Sequence, residues 1–292
     1  MTLIDKHDYA LERRLRELDP ELHRRFTDAV FALQHILSNY KLIFPEFTDH
    51  TELHSLTVVD FCNTLVGDRI SLLNADEIYT LLMGCYFHDT GMGISEKDYN
   101  EFSAEIDFGN YFETNSHEDR PKIIRAFHNE YSGRFIRKYA DFFEIPSEKH
   151  LFAVVETARG HRKTPLTDEK QYPISLPLLN GNTICLPYLS ALIRLADEID
   201  VSAARNPMLL YSIADVNDPK QIIERKKHEA VRGITVTDAA FTLDIKTDDE
   251  EIMDKLRVMK EKMQKTLDEC REAVIGRTPF TITQEKVLLH TI

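Results

Sequence analysis

Cysteine is scarce in this chain. There are four in 292 residues, Cys62, Cys85, Cys185 and Cys270, and no two form a CxxC pair. Their wide spacing argues against both a disulfide framework and a thiolate zinc site, and it predicts reduced, mostly buried thiols. Long apolar runs are absent too: no stretch reaches the roughly 18 to 20 residues that a membrane span requires. The opening segment, MTLIDKHDYALERRLRELDPELHRR, lacks the apolar centre of an export signal, which predicts a cytoplasmic protein. Positive charge is in deficit, with 36 Lys and Arg against 49 Asp and Glu and a net charge of −13. Such a field repels a nucleic-acid backbone, so long nucleic acid and membranes are not expected partners, whereas a small anion held in a pocket is compatible with it. A chain of this length buries roughly 75% of its unfolded surface and needs no staple to fold.

What the sequence does contain reads mostly as helix. Leu11, Leu15 and Leu18, then Phe26, Val30, Leu33 and Leu37, recur at mostly three- and four-residue steps and predict two helices broken near Pro20. Asn74 with Glu77 forms a capping-box pattern ahead of Ile78, Leu82 and Cys85. Pro121, Ser147 and Pro187 mark three further helix starts, followed by Ile124–Phe135, Leu151–Ala158 and Leu189–Ala196 stripes. Two long connectors, Met92 to Arg120 and Arg162 to Leu186, are expected as lid or rim segments. After Arg205 the pattern changes. Met208 to Val216 reads as a strand, Gly233 to Lys246 as a hairpin, Ile252 to Val274 as one amphipathic helix, and Thr278 to Ile292 as one or two strands. The expected fold is mainly α, a helical body over 1–205 with a small C-terminal α+β segment over 206–292.

The chemistry lies in where His and Asp fall on these helices. His54 shares a stripe with Val58, Cys62 and Leu65, and Asp89, beside His88, continues Ile78, Leu82 and Cys85. His128 lies between Ile124 and Tyr131, His161 ends the Leu151–Ala158 series, and Asp197 follows Ile193 by one turn. Burying an uncompensated carboxylate costs several kcal/mol, so two on core-facing stripes require cations or metal. Imidazoles and carboxylates without thiolate suit manganese, iron, cobalt, nickel or zinc. A single histidine on an apolar face is more often a satisfied core group, and His7-Asp8, in a charged stretch, shows how little the dipeptide means alone. Order and spacing carry the argument: His88 follows His54 by 34 residues, His128 follows Asp89 by 39, His161 follows by 33 and Asp197 by 36.

This pattern resembles the HD-domain superfamily of metal-dependent phosphohydrolases, with its H…HD…D motif at His54, His88-Asp89 in CYFHDTGMG, and Asp197 in IRLADEID. The resemblance covers residues 48–205. His128 in RAFHNEYS and His161 in ARGHRKTP resemble the additional ligands of the two-metal branch. It implies an HD-type helical bundle in which His54, His88, Asp89 and Asp197 hold one divalent ion, and Asp89, His128 and His161 hold a second. Manganese or iron is the foremost expectation, and Asp89, His128 and His161 are the implied catalytic groups. The HDTGM and LADEID variants are similar to a subgroup often linked to chaperone-type ATPases. Two departures bear on substrate: Met92 stands where the cyclic-dinucleotide phosphodiesterases usually carry lysine, and there is no His-His pair.

Arg125, Arg159, Arg162 and Lys163 flank the proposed second-metal ligands and are the expected phosphate-binding residues, with a solvated helix-end role the competing reading for each. Arg194 reads equally as the partner of an acid. Glu130, Asp200 and His50 are candidates to orient the imidazoles. Phe127, Tyr131, Phe135 and Tyr139, like Met259 and Met263, read as core. The expected function is hydrolysis of a nucleotide, cyclic nucleotide or related small phosphoester by metal-activated water. Two alternatives stay open: a di-iron oxygenase of the same fold, and a non-catalytic nucleotide-sensing module. The C-terminal segment would serve specificity, regulation or assembly into a homo-oligomer.

Overall fold

A computed structural model describes residues 9–38, 52–115, 119–162, 164–201 and 219–292. The body is helical. The first helix, α1 (Ala10–Leu18), buries Leu11 and Leu15 and stops at Asp19, whose carboxylate accepts from the backbone N–H groups of Glu21 and Leu22 and so starts α2 (Pro20–Ser38). Pro20 occupies the first position of α2, where its missing N–H costs nothing. The stripe of His54, Val58, Cys62 and Leu65 is the buried face of α3 (Glu52–Val66).

Asn74 and Glu77 form the expected capping box on α4 (Ala75–Phe87). This helix is buried on every side, as the mostly apolar stretch from Ile78 to Phe87 requires. It is the post against which α1, α2, α3, α8 (Glu148–Arg159) and α9 (Leu186–Ile199) pack. Gly84 is the point of closest approach: a Cβ there would lie 2.6 Å from Ile193 Cδ1 and 2.9 Å from Thr157 Cγ2. Asp119 and Pro121 open α7 (Arg120–Lys138), and Ser147 caps α8.

The two connectors contain more structure than expected. The first holds α5 (Glu96–Ser103), capped by Ser95 and anchored by buried Phe102, and a single turn α6 (Tyr111–Thr114). The second holds a short antiparallel pair, β1 (Leu176–Pro177) and β2 (Thr183–Ile184). After them comes α10 (Pro219–Ala230), which the sequence reading passed over, and then β3 (Val231–Val236) and β4 (Ala240–Ile245), the expected antiparallel hairpin. The amphipathic α11 (Glu250–Val274) is capped by Asp249 and buries Ile252, Leu256, Met259, Met263, Leu267, Cys270 and Val274. It packs on α9 and returns the chain to β5 (Lys286–Thr291), which pairs in parallel with β4. The 208–216 strand, His7-Asp8 and His50 fall outside the described residues. All four cysteines are buried free thiols, with Cys62 Sγ 3.8 Å from Cys85 Sγ. Among the described residues no helix is long and apolar enough to cross a membrane.

Candidate metal centre

Three of the four histidines reach the site by one local device. His88 caps the C-terminus of α4, His161 follows the end of α8, and His128 follows a break in α7 at Phe127, where φ is −122° and ψ is 19°. Where a helix ends, its last carbonyls lose their partners. Each imidazole takes up the carbonyl three residues back: His88 Nδ1 lies 2.7 Å from Cys85 O, His128 Nδ1 2.8 Å from Arg125 O, and His161 Nδ1 2.6 Å from Ala158 O. A carbonyl only accepts, so each Nδ1 carries the hydrogen. The fourth ring, His54, is held at Nδ1 by Asp200 Oδ2 at 2.6 Å. Each ring thus turns its Nε2 inward, and all four Nε2 atoms lie 3.4 to 3.8 Å from an oxygen of Asp89.

The two oxygens of Asp89 divide the cluster. His54 Nε2 and His88 Nε2 lie 3.5 and 3.4 Å from Oδ2, while His128 Nε2 and His161 Nε2 lie 3.4 and 3.8 Å from Oδ1. Asp197 Oδ1 joins the first group at 3.2 Å from His54 Nε2. Within the groups, Nε2 atoms face one another at 3.1 Å (His54 and His88) and 2.9 Å (His128 and His161). At His128 and His161, both held neutral by burial, two lone pairs at that distance repel unless a positive charge sits between them. His54, His88 and Asp89 form one set of potential metal ligands, and Asp89, His128 and His161 a second. The donor set fits divalent transition ions, with imidazole nitrogen and carboxylate oxygen and no thiolate.

The electrostatics agree. Burial opposes charge on His88, His128 and His161, yet at His88 the negative charge of Asp89, its hydrogen bond and the charge of Asp197 prevail and raise the pKa to about 9. At His128 burial dominates and the pKa falls to about 4, with Arg162 adding to the effect, and at His161 burial and the neighbouring His88 and His128 hold it well below the ordinary value. Burial would raise the Asp197 pKa, but the hydrogen bond and charge of His54 and the charges of His88 and His161 hold it well down. His128 and His161 are thus held neutral beside an ionised Asp197, as metal binding requires, whereas His88 holds a proton that an incoming ion would displace.

The expected site residues fare unequally. His54, His88, Asp89, His128, His161 and Asp197 converge. Arg125 and Arg162 line a cleft of about 320 Å³ that also exposes Asp197, whose side chain is 18% exposed. Lys163 lies outside the described residues. Arg159 departs from its expected place: its guanidinium bonds Glu156 at 2.7 Å and Glu130 at 2.8 Å, away from the cluster, and those pairings occupy Glu130 as well, which orients no imidazole. Arg194 serves carbonyls rather than an acid, donating to Gly160 O and Thr164 O and fixing the turn that carries His161.

Ser132 is the residue that sequence reasoning missed. Its hydroxyl donates to His88 O at 2.7 Å and accepts from Gly91 N at 2.8 Å, pinning the His-Asp turn to α7. The available signal was its place four residues after His128, on the same helical face. Comparisons with curated proteins and with solved structures returned no match. A family model does match, the one described as HD-CE, over residues 44–274. That span covers most of the chain and every residue of the His/Asp cluster, and the chain belongs to the HD-CE family, an HD-type family.

Proposed function

We propose that this protein is a metal-dependent phosphohydrolase that attacks a nucleotide, cyclic nucleotide or related small phosphoester with water. The observation that carries the reading is one carboxylate, Asp89, facing a pair of imidazole Nε2 atoms from each of its oxygens. His54, His88, Asp89 and Asp197 would hold one ion, and Asp89, His128 and His161 the other. Two divalent ions there supply Lewis acidity toward a phosphoryl oxygen and a water acidic enough to ionise near neutral pH. The chain's own work is orientation and recognition. Asp200 and the three carbonyls hold the imidazoles in one tautomer. Arg125 and Arg162 offer positive charge to the phosphate in the cleft, and the adjacent Lys163 is a third candidate. Residues 1–205 form the metal-binding body in this reading and 206–292 an appended unit.

The test joins elemental analysis of purified protein to an anaerobic screen of mono-, tri- and cyclic nucleotides with manganese, using labelled water. Two metal equivalents and solvent oxygen in the phosphoryl product are expected. Turnover that requires dioxygen and iron, with no phosphoester cleaved, would replace this reading with the oxygenase. Nucleotide binding without metal or turnover would replace it with the sensing module.

A further inference from the structure

The cleft that opens on Asp197 does not end at the helical body. Arg125 and Arg162 form one side, and Lys227 and His228 of α10 with Lys255 and Lys262 of α11 form the other. Five Lys and Arg side chains face three carboxylates, Asp197, Glu198 and Glu224, in a protein whose overall charge is −13. The carboxylates are already engaged. Asp197 belongs to the His/Asp cluster, Glu198 pairs with Lys262 at 3.0 Å, and Glu224 pairs with Lys227. Lys255 is exposed and makes no ion pair with a described residue, and the same is true of the Arg162 guanidinium on the opposite side. Among the described residues no Phe, Tyr or Trp lines the cleft, and the His228 ring there is tied to Val201 O at 3.0 Å, so a base finds little stacking surface. What the far wall offers is charge.

We infer that the C-terminal segment is a specificity wall of the same site and that the ligand carries a second phosphate group, remote from the reacting one, received by Lys255. The volume, about 320 Å³, is in the range of small-molecule sites and exceeds what one phosphate fills. A single anionic group would be met by Arg125 and Arg162 near Asp197, leaving Lys255 on the far wall without a counterpart. Discrimination therefore follows the number of phosphates rather than the identity of the base. The inference rests on the phosphohydrolase reading for the reacting group alone, since the recognition it describes is measurable without turnover.

The experiment is calorimetric titration of manganese-loaded full-length protein with three probes: adenosine 5′-monophosphate, adenosine 3′,5′-bisphosphate and the β,γ-imido analogue of adenosine triphosphate. The bisphosphate tests separated phosphates and the triphosphate analogue tests a chain of them. At least one should bind about tenfold or more tightly than the monophosphate, the gain expected from one additional charge-assisted contact. In Lys255→Glu that preference should fall to within about twofold, with metal content retained. Lys265→Glu, a charge reversal on another face of α11, should leave the preference intact and so separates local contact from general charge. Equal binding of all three probes by the wild type, a preference that survives Lys255→Glu, or an equal loss in Lys265→Glu would overturn the inference. A clear preference with no phosphoester cleaved under any condition would leave the wall in place and remove the hydrolytic reading.

Discussion

Each imidazole of the cluster uses Nδ1 as its anchor and presents Nε2, so the contribution of each ring is separable from its attachment. His128 and His161 face Asp89 Oδ1, whereas His54 and His88 face Oδ2. Replacing either with Ala should lower bound metal from two equivalents toward one and cut turnover by several orders of magnitude, while far-ultraviolet circular dichroism stays that of the wild type. Two retained equivalents in both variants would refute the second-ion assignment. The charged neighbours were legible with less success. Arg159 sits three residues after Glu156, a spacing that announces an intrahelical ion pair, and the structure holds it there at 2.7 Å. Nearness in sequence to His161 was the weaker signal, because a helix end points successive side chains in different directions.

At the scale of elements, the His-Asp turn and α7 are fitted to each other with no free space. A Cβ on Gly91 would lie 2.2 Å from His128 O, 2.8 Å from Ser132 N and 2.9 Å from Tyr131 Cβ. Two of those neighbours are backbone atoms, which cannot rotate away. Gly91→Ala should therefore push α7 from the turn, destabilise the fold by roughly 1 to 3 kcal/mol as overpacked sites do, and reduce metal occupancy, because Asp89 and His128 stand on opposite sides of the contact. An unchanged denaturation midpoint with full metal content would count against it. Most helices were readable because they carry local signatures: the Asn74 and Glu77 box, the Ser147 cap, the seven-residue stripe of α11. By contrast, α10 reads KQIIERKKHEA, with two adjacent isoleucines and no stripe, so periodicity had nothing to register. The α5 helix lay in an acidic stretch whose composition outweighed its Ser95 cap. The cleft wall was invisible for another reason: Lys227 and Lys255 are 30 and 58 residues beyond Asp197, and only the tertiary fold brings them to it.

Across the whole molecule, a second buried polar network ties distant parts of the chain. Asp76 at the start of α4 accepts from Asn180 and Asn182 and contacts His150 Nε2 at 2.8 Å, joining α4, α8 and the β1–β2 turn. Burial alone would raise its pKa, but the hydrogen bonds from His150, Asn182 and Asn180 and the charge of His150 outweigh burial and lower it to about 2. A carboxyl depressed in the folded state stabilises fully above its unfolded pKa and loses that contribution as pH falls through the folded value. Stability should therefore decline between about pH 4 and pH 2 in part through Asp76. In Asp76→Asn the urea midpoint should be lower at pH 7 and less steep across that interval. Equal slopes for the two proteins would show that other carboxyls govern acid unfolding.

The parallel pairing of β4 with β5 has a consequence in time. Ala240 pairs with Lys286, so the sheet closes only after the intervening α11 has been laid down. Chains emerge from the ribosome in sequence order, and every residue of the His/Asp cluster has been synthesised by Asp197, well before Lys255. The nascent chain therefore contains the whole His/Asp cluster before it contains the lysines of α11. During that interval the cleft beside Asp197 lacks its α11 side.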